Sequence, residues 1–276
     1  MTINCAGKLI DLSSPKIMGI LNITPDSFYD GGRYDSDKKI LIQVEKMIND
    51  GALFIDIGAY SSRPNGKNID EDQELKRIIP ALELVHKTFP EIIISIDTFR
   101  SKVAEACLNS GASIINDISA GELDKEMMSI VGKYKVPYIM MHMRGNPQNM
   151  INKTNYDDMM KEILNYFSEK INQAISYKIN DLIIDPGFGF AKDIKQNYDL
   201  LNHMELLKVL EKPVMVGVSR KSMIYKTLNT EPEKSLNGTT VLNTISLIKG
   251  ASILRVHDIK EANECIKLIN SLNQPS

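Results

Sequence analysis

Polar and charged residues recur at one kind of place in this chain, at or just past the end of a short apolar run. They are Asn22, Asp56, Asp97, Asn116, His142, Asp185, the pair Arg220–Lys221, Arg255 and His257, with Arg63 in the long loop after the second run. By charge the set divides in two. Asp97, Asn116 and Asp185 suit a flat heterocycle rich in N–H donors, because a carboxylate accepts two N–H bonds from an amidine-like edge at about 1.5–3 kcal/mol for a charge-assisted bond. Arg63, Arg255 and His257 suit an anion such as a diphosphate, and Lys221 falls between the two groups.

A blander account exists for each of these residues. Asp56 and Asp97 can serve as ion-pair partners inside the fold, Arg255 can pair with Asp258, and His142 can be a hydrogen-bonded core histidine. His86 and His203 fall in helical patterns and read as surface residues. A whole ring of polar side chains is harder to explain this way. A buried polar group left alone costs roughly 1–3 kcal/mol, and stability alone does not call for such a ring.

The apolar runs that must position these residues are 16–22, 53–58, 92–98, 113–118, 137–143, 181–187, 213–219 and 252–258. Each has Ile, Val, Leu or Met on consecutive positions, as strands buried on both faces require. Helical periods fill the intervals. Leu75, Ile78, Ile79, Leu82 and Phe89 mark one, started by Asp70 with Gln73 as a capping box, and Pro80 is expected to kink it. Met159, Ile163, Phe167, Ile171 and Ala174 form the stripe of another, and Gly111 reads as a C-terminal cap. The first residues, 3–12, are expected to form a short hairpin under the strands.

Eight strand–helix units predict an α/β fold, a (β/α)8 TIM barrel, with an open doubly wound sheet as runner-up. No linker composition interrupts the chain, so residues 1–276 are expected to form one domain. In such barrels the active site lies at the C-terminal ends of the strands, where the polar set collects. Two long loops, 22–36 and 60–68, rim the same end, and Pro64 restricts Arg63 to extended conformations. The stretch 185–192, with Gly187 and Gly189, reads as a backbone-rich loop beside a substrate, offering Phe190 as a stacking face.

Composition excludes several classes. Apolar content is 43%, charged content 25% and the net charge −2, with no Lys/Arg block, so nucleic acid is not an expected partner. No 18-residue apolar stretch spans a membrane, and the start lacks a signal-peptide core. Three cysteines, Cys5, Cys107 and Cys265, have no paired spacing, which fits a reducing, cytoplasmic location.

Taken in order, the segments MGILNITPDSFYDGG (18–32), DIGAYSSRP (56–64), SIDTFR (95–100), INDIS (115–119), MMHMRGNP (140–147), DPGFGFAK (185–192), GVSRKSMI (217–224) and RVHD (255–258) resemble the dihydropteroate synthases, a family of pterin-binding barrels. The resemblance runs from Met18 to Asp258. It implies a transferase of folate biosynthesis that condenses 6-hydroxymethyl-7,8-dihydropterin pyrophosphate with 4-aminobenzoate and releases pyrophosphate. By position, it implies that Asp97, Asn116, Asp185 and Lys221 hold the pterin ring, packed by Met140, Phe190 and Gly217. Asn22, Ser62, Arg63, Arg255 and His257 would bind pyrophosphate, with Asn22 also near a Mg²⁺. Phe28, Pro64, Ser222 and the stem of Lys221 would shape the 4-aminobenzoate pocket. Asp97, Lys221, Arg63 and Asp185 would be the catalytic groups, acting on a cation-like displacement. Sulfonamides would compete for the 4-aminobenzoate pocket, and the family usually forms homodimers.

Four positions depart from the commonest family pattern. Tyr60 stands where Glu is frequent, Ser62 where Thr is, Asn65 where Gly is, and Ala191 where Gly is usual. Three alternative functions compete with the synthase. A pterin-dependent methyltransferase would share the ring contacts but would not need Arg63 or the Arg220–Lys221 pair. A Schiff-base aldolase would use Lys221 as nucleophile, its amine lowered by Arg220 and opposed by Asp185. A non-catalytic pterin-binding barrel would lack the charged rim.

Overall fold

The structure is a computed structural model that describes residues 1–23, 33–60 and 69–273. The expected contributions of Phe28, Ser62, Arg63, Pro64 and Asn65 lie outside the described residues.

The chain opens with an antiparallel hairpin of β1 (Thr2–Cys5) and β2 (Lys8–Asp11), as expected from residues 3–12. An eight-stranded parallel sheet follows: β3 (Lys16–Asn22), β4 (Phe54–Gly58), β5 (Ile93–Asp97), β6 (Ile114–Asp117), β7 (Tyr138–Met141), β8 (Leu182–Asp185), β9 (Met215–Val216) and β10 (Ile253–Val256). The spatial order is β8-β7-β6-β5-β4-β3-β10-β9. Its two ends meet where Ile184 bridges Val214 in parallel and the Ile184 N–H reaches the Pro213 carbonyl at 3.0 Å. That contact brings the sheet round into a nearly closed barrel, which settles the choice against the open sheet.

Helices follow the strands: α1 (Arg33–Asn49), α2 (Glu71–Thr88), α3 (Ser101–Asn109), α4 (Met127–Tyr134), α5 (Met159–Ser176), α6 (Ile194–Asn202), α7 (Ser222–Thr227), α8 (Leu236–Ile248) and α9 (Ile259–Asn273). Asp70 caps α2 by accepting the Gln73 N–H at 2.7 Å, and the helix runs on through Pro80 as a single element. The reciprocal pair of bonds of a full capping box forms at Asp193 and Gln196, at the start of α6. On α5 the stripe Met159, Ile163, Phe167, Ile171 and Ala174 is buried against the barrel. After α3, Gly111 takes the left-handed conformation at φ +105° that a helix stop favours.

Alternation along the strands sorts side chains into two layers. Ile55, Ile57, Ile94, Ile96, Ile115, Met140 and Ile184 face outward into one large apolar cluster with the helices. Met18, Phe54, Ile93, Ile114, Ile139, Ile183, Met215 and Ile253 face inward, one from each strand, and pack on Ile3, Cys5, Ile10 and Leu12 of the hairpin. This second cluster fills the barrel at the strands' N-terminal ends, with the hairpin as its floor. On five of the eight strands the next inward residue toward the opposite end is polar: Asp56, Ser95, Asn116, Asp185 and Arg255.

Candidate active site

Period two continues from the apolar floor to the mouth. Above Phe54 comes Asp56, above Ile93 come Ser95 and Asp97, above Ile114 comes Asn116, above Ile183 comes Asp185, and above Ile253 comes Arg255. Asp97, Asn116, Ile118, Met141, Asp185, Phe190, Gly217, Lys221 and Arg255 line one pocket. Six of the seven residues expected around a flat ring are therefore brought together, and Arg255, expected at the anion, joins them.

Met140 is the exception. Register pairs Met140 with Asp117 and Ile184, and Met141 with Asp185. Met140 thus points outward into the helix layer, while Met141 and Ile118 supply the pocket's apolar wall. The same phase turns His142 outward. It is buried among Tyr156, Tyr166 and Phe167, and it is a core histidine. Burial, then the Lys192 and Arg144 charges, hold its ring well below the ordinary range.

Arg255 is the hub of the pocket. Its Nε donates to Asp56 Oδ2 at 2.6 Å and its Nη2 to Asp97 Oδ2 at 2.7 Å. Asn116 Nδ2 also donates to Asp56 Oδ2, at 2.9 Å, while Asp56 Oδ1 is buried and takes no hydrogen bond from the described residues. Arg255 was expected to face an anion or to pair with Asp258; here it ties two carboxylates together. Asp258 is held instead by Arg220, through Nε at 3.0 Å and Nη2 at 2.5 Å.

Burial pushes the Asp97 carboxyl up, opposed by the Arg255 charge beside it and reinforced by Asp56. Asp185 is likewise raised by burial, with Lys221 and the Gly187 N–H opposing; that N–H reaches Asp185 Oδ1 at 2.8 Å. Lys221 stands just before α7, and its Nζ donates to the Phe188 carbonyl and lies 4.9 Å from the Phe190 ring centre. Burial, opposed by Asp185 and Asp97 and aided by Arg255, lowers its ammonium to about 8. Arg220, expected to contribute to that shift, is turned away to Asp258. A methyl group added at Gly217 would stand 3.9 Å from both Lys221 Nζ and Arg255 Cβ, so the bare glycine leaves that space for a flat ligand.

The remaining expected residues sit around the rim. His257 Nδ1 lies 3.0 Å from Ser219 Oγ, beyond Arg255 on the same strand line. Ser222 opens α7, half-buried. Asn22 ends β3, half-buried, in register with Gly58 and thereby with Asp97. Among the described residues no three His, Cys, Asp or Glu side chains converge to hold a metal. Asn22 offers one neutral oxygen, too little to hold a Mg²⁺ by itself but compatible with a metal carried mainly by phosphate oxygens.

Two departures from the family pattern also acquire a physical account. Tyr60 packs edge-on against Phe99 at 5.1 Å, and its hydroxyl accepts from Gln148 Nε2 at 2.7 Å. Arg100 lies over both rings, 5.4 and 5.0 Å from their centres, and pairs with the buried Glu74, which also accepts the Thr98 hydroxyl at 2.7 Å. Ala191 adopts φ +49°, left-handed backbone that glycine takes without strain.

A TIM barrel that sets three acids and an amide around a guanidinium and a lysine at its mouth belongs to the class of barrels with a polar, charge-paired pocket at the strands' C-terminal ends. The profile of the family described as pterin binding enzyme matches residues 18–257, and the chain belongs to that family. It is 38% identical over 273 residues to the dihydropteroate synthase of Escherichia coli (strain K12), covering 98% of this chain and 96% of that one. Its backbone matches Yersinia pestis dihydropteroate synthase in a sulfonamide drug complex with a TM-score of 0.92 at 38% identity, covering 99% of both chains. It matches Xanthomonas albilineans dihydropteroate synthase with 4-aminobenzoic acid with a TM-score of 0.92 at 34% identity, covering 100% of this chain and 99% of that one.

Proposed function

We propose that the chain is an enzyme of folate synthesis with dihydropteroate synthase activity. It joins 6-hydroxymethyl-7,8-dihydropterin pyrophosphate to 4-aminobenzoate, giving 7,8-dihydropteroate and pyrophosphate. The observation that carries this reading is the single pocket shared by Asp97, Asn116, Asp185, Phe190, Gly217, Lys221 and Arg255. Full-length similarity to synthases supports it.

Asp97, Asn116 and Asp185 accept from the ring's N–H groups, Lys221 donates to its carbonyl side, and Phe190 covers a face. The bond from C9 of the pterin to the diphosphate oxygen breaks first, and its electron pair leaves with pyrophosphate. Asp97 and Asp185 stabilise the cation-like ring that remains. The arylamine nitrogen then attacks C9 and loses a proton. Arg255 and His257, with Arg63 and Ser62 from the 60–68 loop, receive the leaving group's charge. Mg²⁺, carried on the diphosphate beside Asn22, would supply further charge neutralisation. Phe28, Pro64, Ser222 and the Lys221 stem bound the 4-aminobenzoate pocket, where sulfonamides compete.

The chain works as a homodimer in this reading. Val241 and Ile248 on α8 and Leu268 and Leu272 on α9 are large exposed apolar side chains on packed neighbouring helices, surface that a second copy would cover. The three free, buried cysteines suit the cytoplasm. A coupled pyrophosphate-release assay tests the function. Release is expected only with both substrates present, and release without 4-aminobenzoate, or none with both, rejects the synthase. Sedimentation tests the dimer: a monomer at micromolar concentration rejects it.

A further inference from the structure

The segment from Asp185 to Lys192 carries Phe190 into the pocket, and its carbonyls are held from two sides. On the pocket side Lys221 donates to Phe188. On the other side Lys192 folds back under its own loop. Its Nζ lies 3.1 Å from the Gly187 carbonyl, 3.1 Å from the Phe190 carbonyl and 3.0 Å from His142 Nδ1. An ammonium has three N–H donors, and each here has one acceptor. Lys192 is only 7% exposed, a depth at which an unpaired donor would be costly.

His142 can accept because its ring is held neutral, and its own backbone N–H donates to the Asp185 carbonyl at 2.9 Å. The tether therefore reaches both Phe190 and the end of β8. Gly187 sits at φ +73°, where a Cβ would come within 2.1 Å of the His142 carbonyl, so the loop lies directly on that strand end. Lys192 itself does not line the pocket.

We propose that Lys192 is a positioning residue for the ring pocket, setting the Phe190 face and the Asp185 strand end through its three hydrogen bonds without touching a ligand. The proposal rests on the ring-binding reading above. Lys192→Met keeps the stem and removes all three donors; Lys192→Gln keeps two N–H groups without charge. The readouts are calorimetric titration with 6-hydroxymethyl-7,8-dihydropterin and the KM for 4-aminobenzoate. For Lys192→Met, ring affinity is expected to fall tenfold or more while the 4-aminobenzoate KM stays within twofold. Lys192→Gln is expected to lie between Met and parent. Ring affinity within twofold of the parent in the Met variant overturns the proposal, and so does an equal loss in both constants. If the Met variant does not fold, the Gln variant is judged on a threefold or greater loss confined to ring affinity. If neither folds, the role is structural and the proposal falls. A parent that binds no pterin instead defeats the synthase reading, whatever the variants do.

Discussion

The two ends of the barrel are built from the same strands and do opposite things. At the N-terminal end, Met18, Phe54, Ile93, Ile114, Ile139, Ile183, Met215 and Ile253 close on the hairpin as a dry, apolar layer. Two or more residues further along, the inward positions become Asp56, Asp97, Asn116, Asp185 and Arg255. Burial contributes stability at the first end, roughly 25 cal/mol per Å² of apolar surface. At the second it raises the acids and lowers Lys221, disfavouring their charged forms at a cost in stability. Fold and chemistry are thus separated along the barrel axis by a few residues.

Substitutions at the two ends should separate stability from rate. The largest effect is expected at the floor. Phe54→Ala removes a fully buried ring and should cost about 3–5 kcal/mol in urea unfolding, with kcat of the folded fraction within a fewfold of the parent. A rate loss larger than the stability loss would break the separation. At the mouth, Asp97→Asn should slow turnover by about 10²-fold or more while the thermal midpoint stays within a few degrees; parent-like turnover would remove its role in stabilising the ring cation.

The third effect is a pH limb. Lys221 loses its proton near pH 8, so its donor to the ring fades above that. Pterin affinity should fall with rising pH by at most about tenfold per unit, and titrations of Lys221→Met from pH 7 to 9.5 should be flat over that limb. The stability sign is opposite. The folded pKa lies below the unfolded value, so stability from this group rises between about pH 8 and 10 as the buried charge is lost. Smallest is Ala191→Gly, which relieves left-handed backbone at φ +49° and should stabilise by about 0.5–1 kcal/mol with ring affinity unchanged. A destabilised Gly variant would show that no strain is held at the mouth.

Strand positions were legible because each run is apolar on consecutive residues, and the barrel followed from their number. Phase was not legible in every run. In Tyr138–Met141 both faces are apolar, so nothing local says which methionine faces in; the pairing of Met141 with Asp185 does. Propagating period two from Asp97 and Asn116 across the sheet would have found Met141 and Ile118 and turned His142 outward. Arg255 was recognised as a site residue, but its partners, Asp56 and Asp97, are 199 and 158 residues away, beyond any local pattern. Nothing in the sequence marks Lys192, because its bonds depend on a loop folding back on itself. Tyr60 has partners on other elements, Phe99, Arg100 and Gln148, that no local pattern around it announces.

The guanidinium shared by Asp56 and Asp97 has a consequence for selectivity. A ring that offers N–H groups to Asp97 competes with Arg255 for the same carboxylate, so recognition is an exchange of partners. An arginine released from Asp97 would keep Asp56 through its Nε and turn its freed donors to the diphosphate that the proposed substrate carries. Ring and anion would then reinforce each other within one molecule more than either fragment does alone.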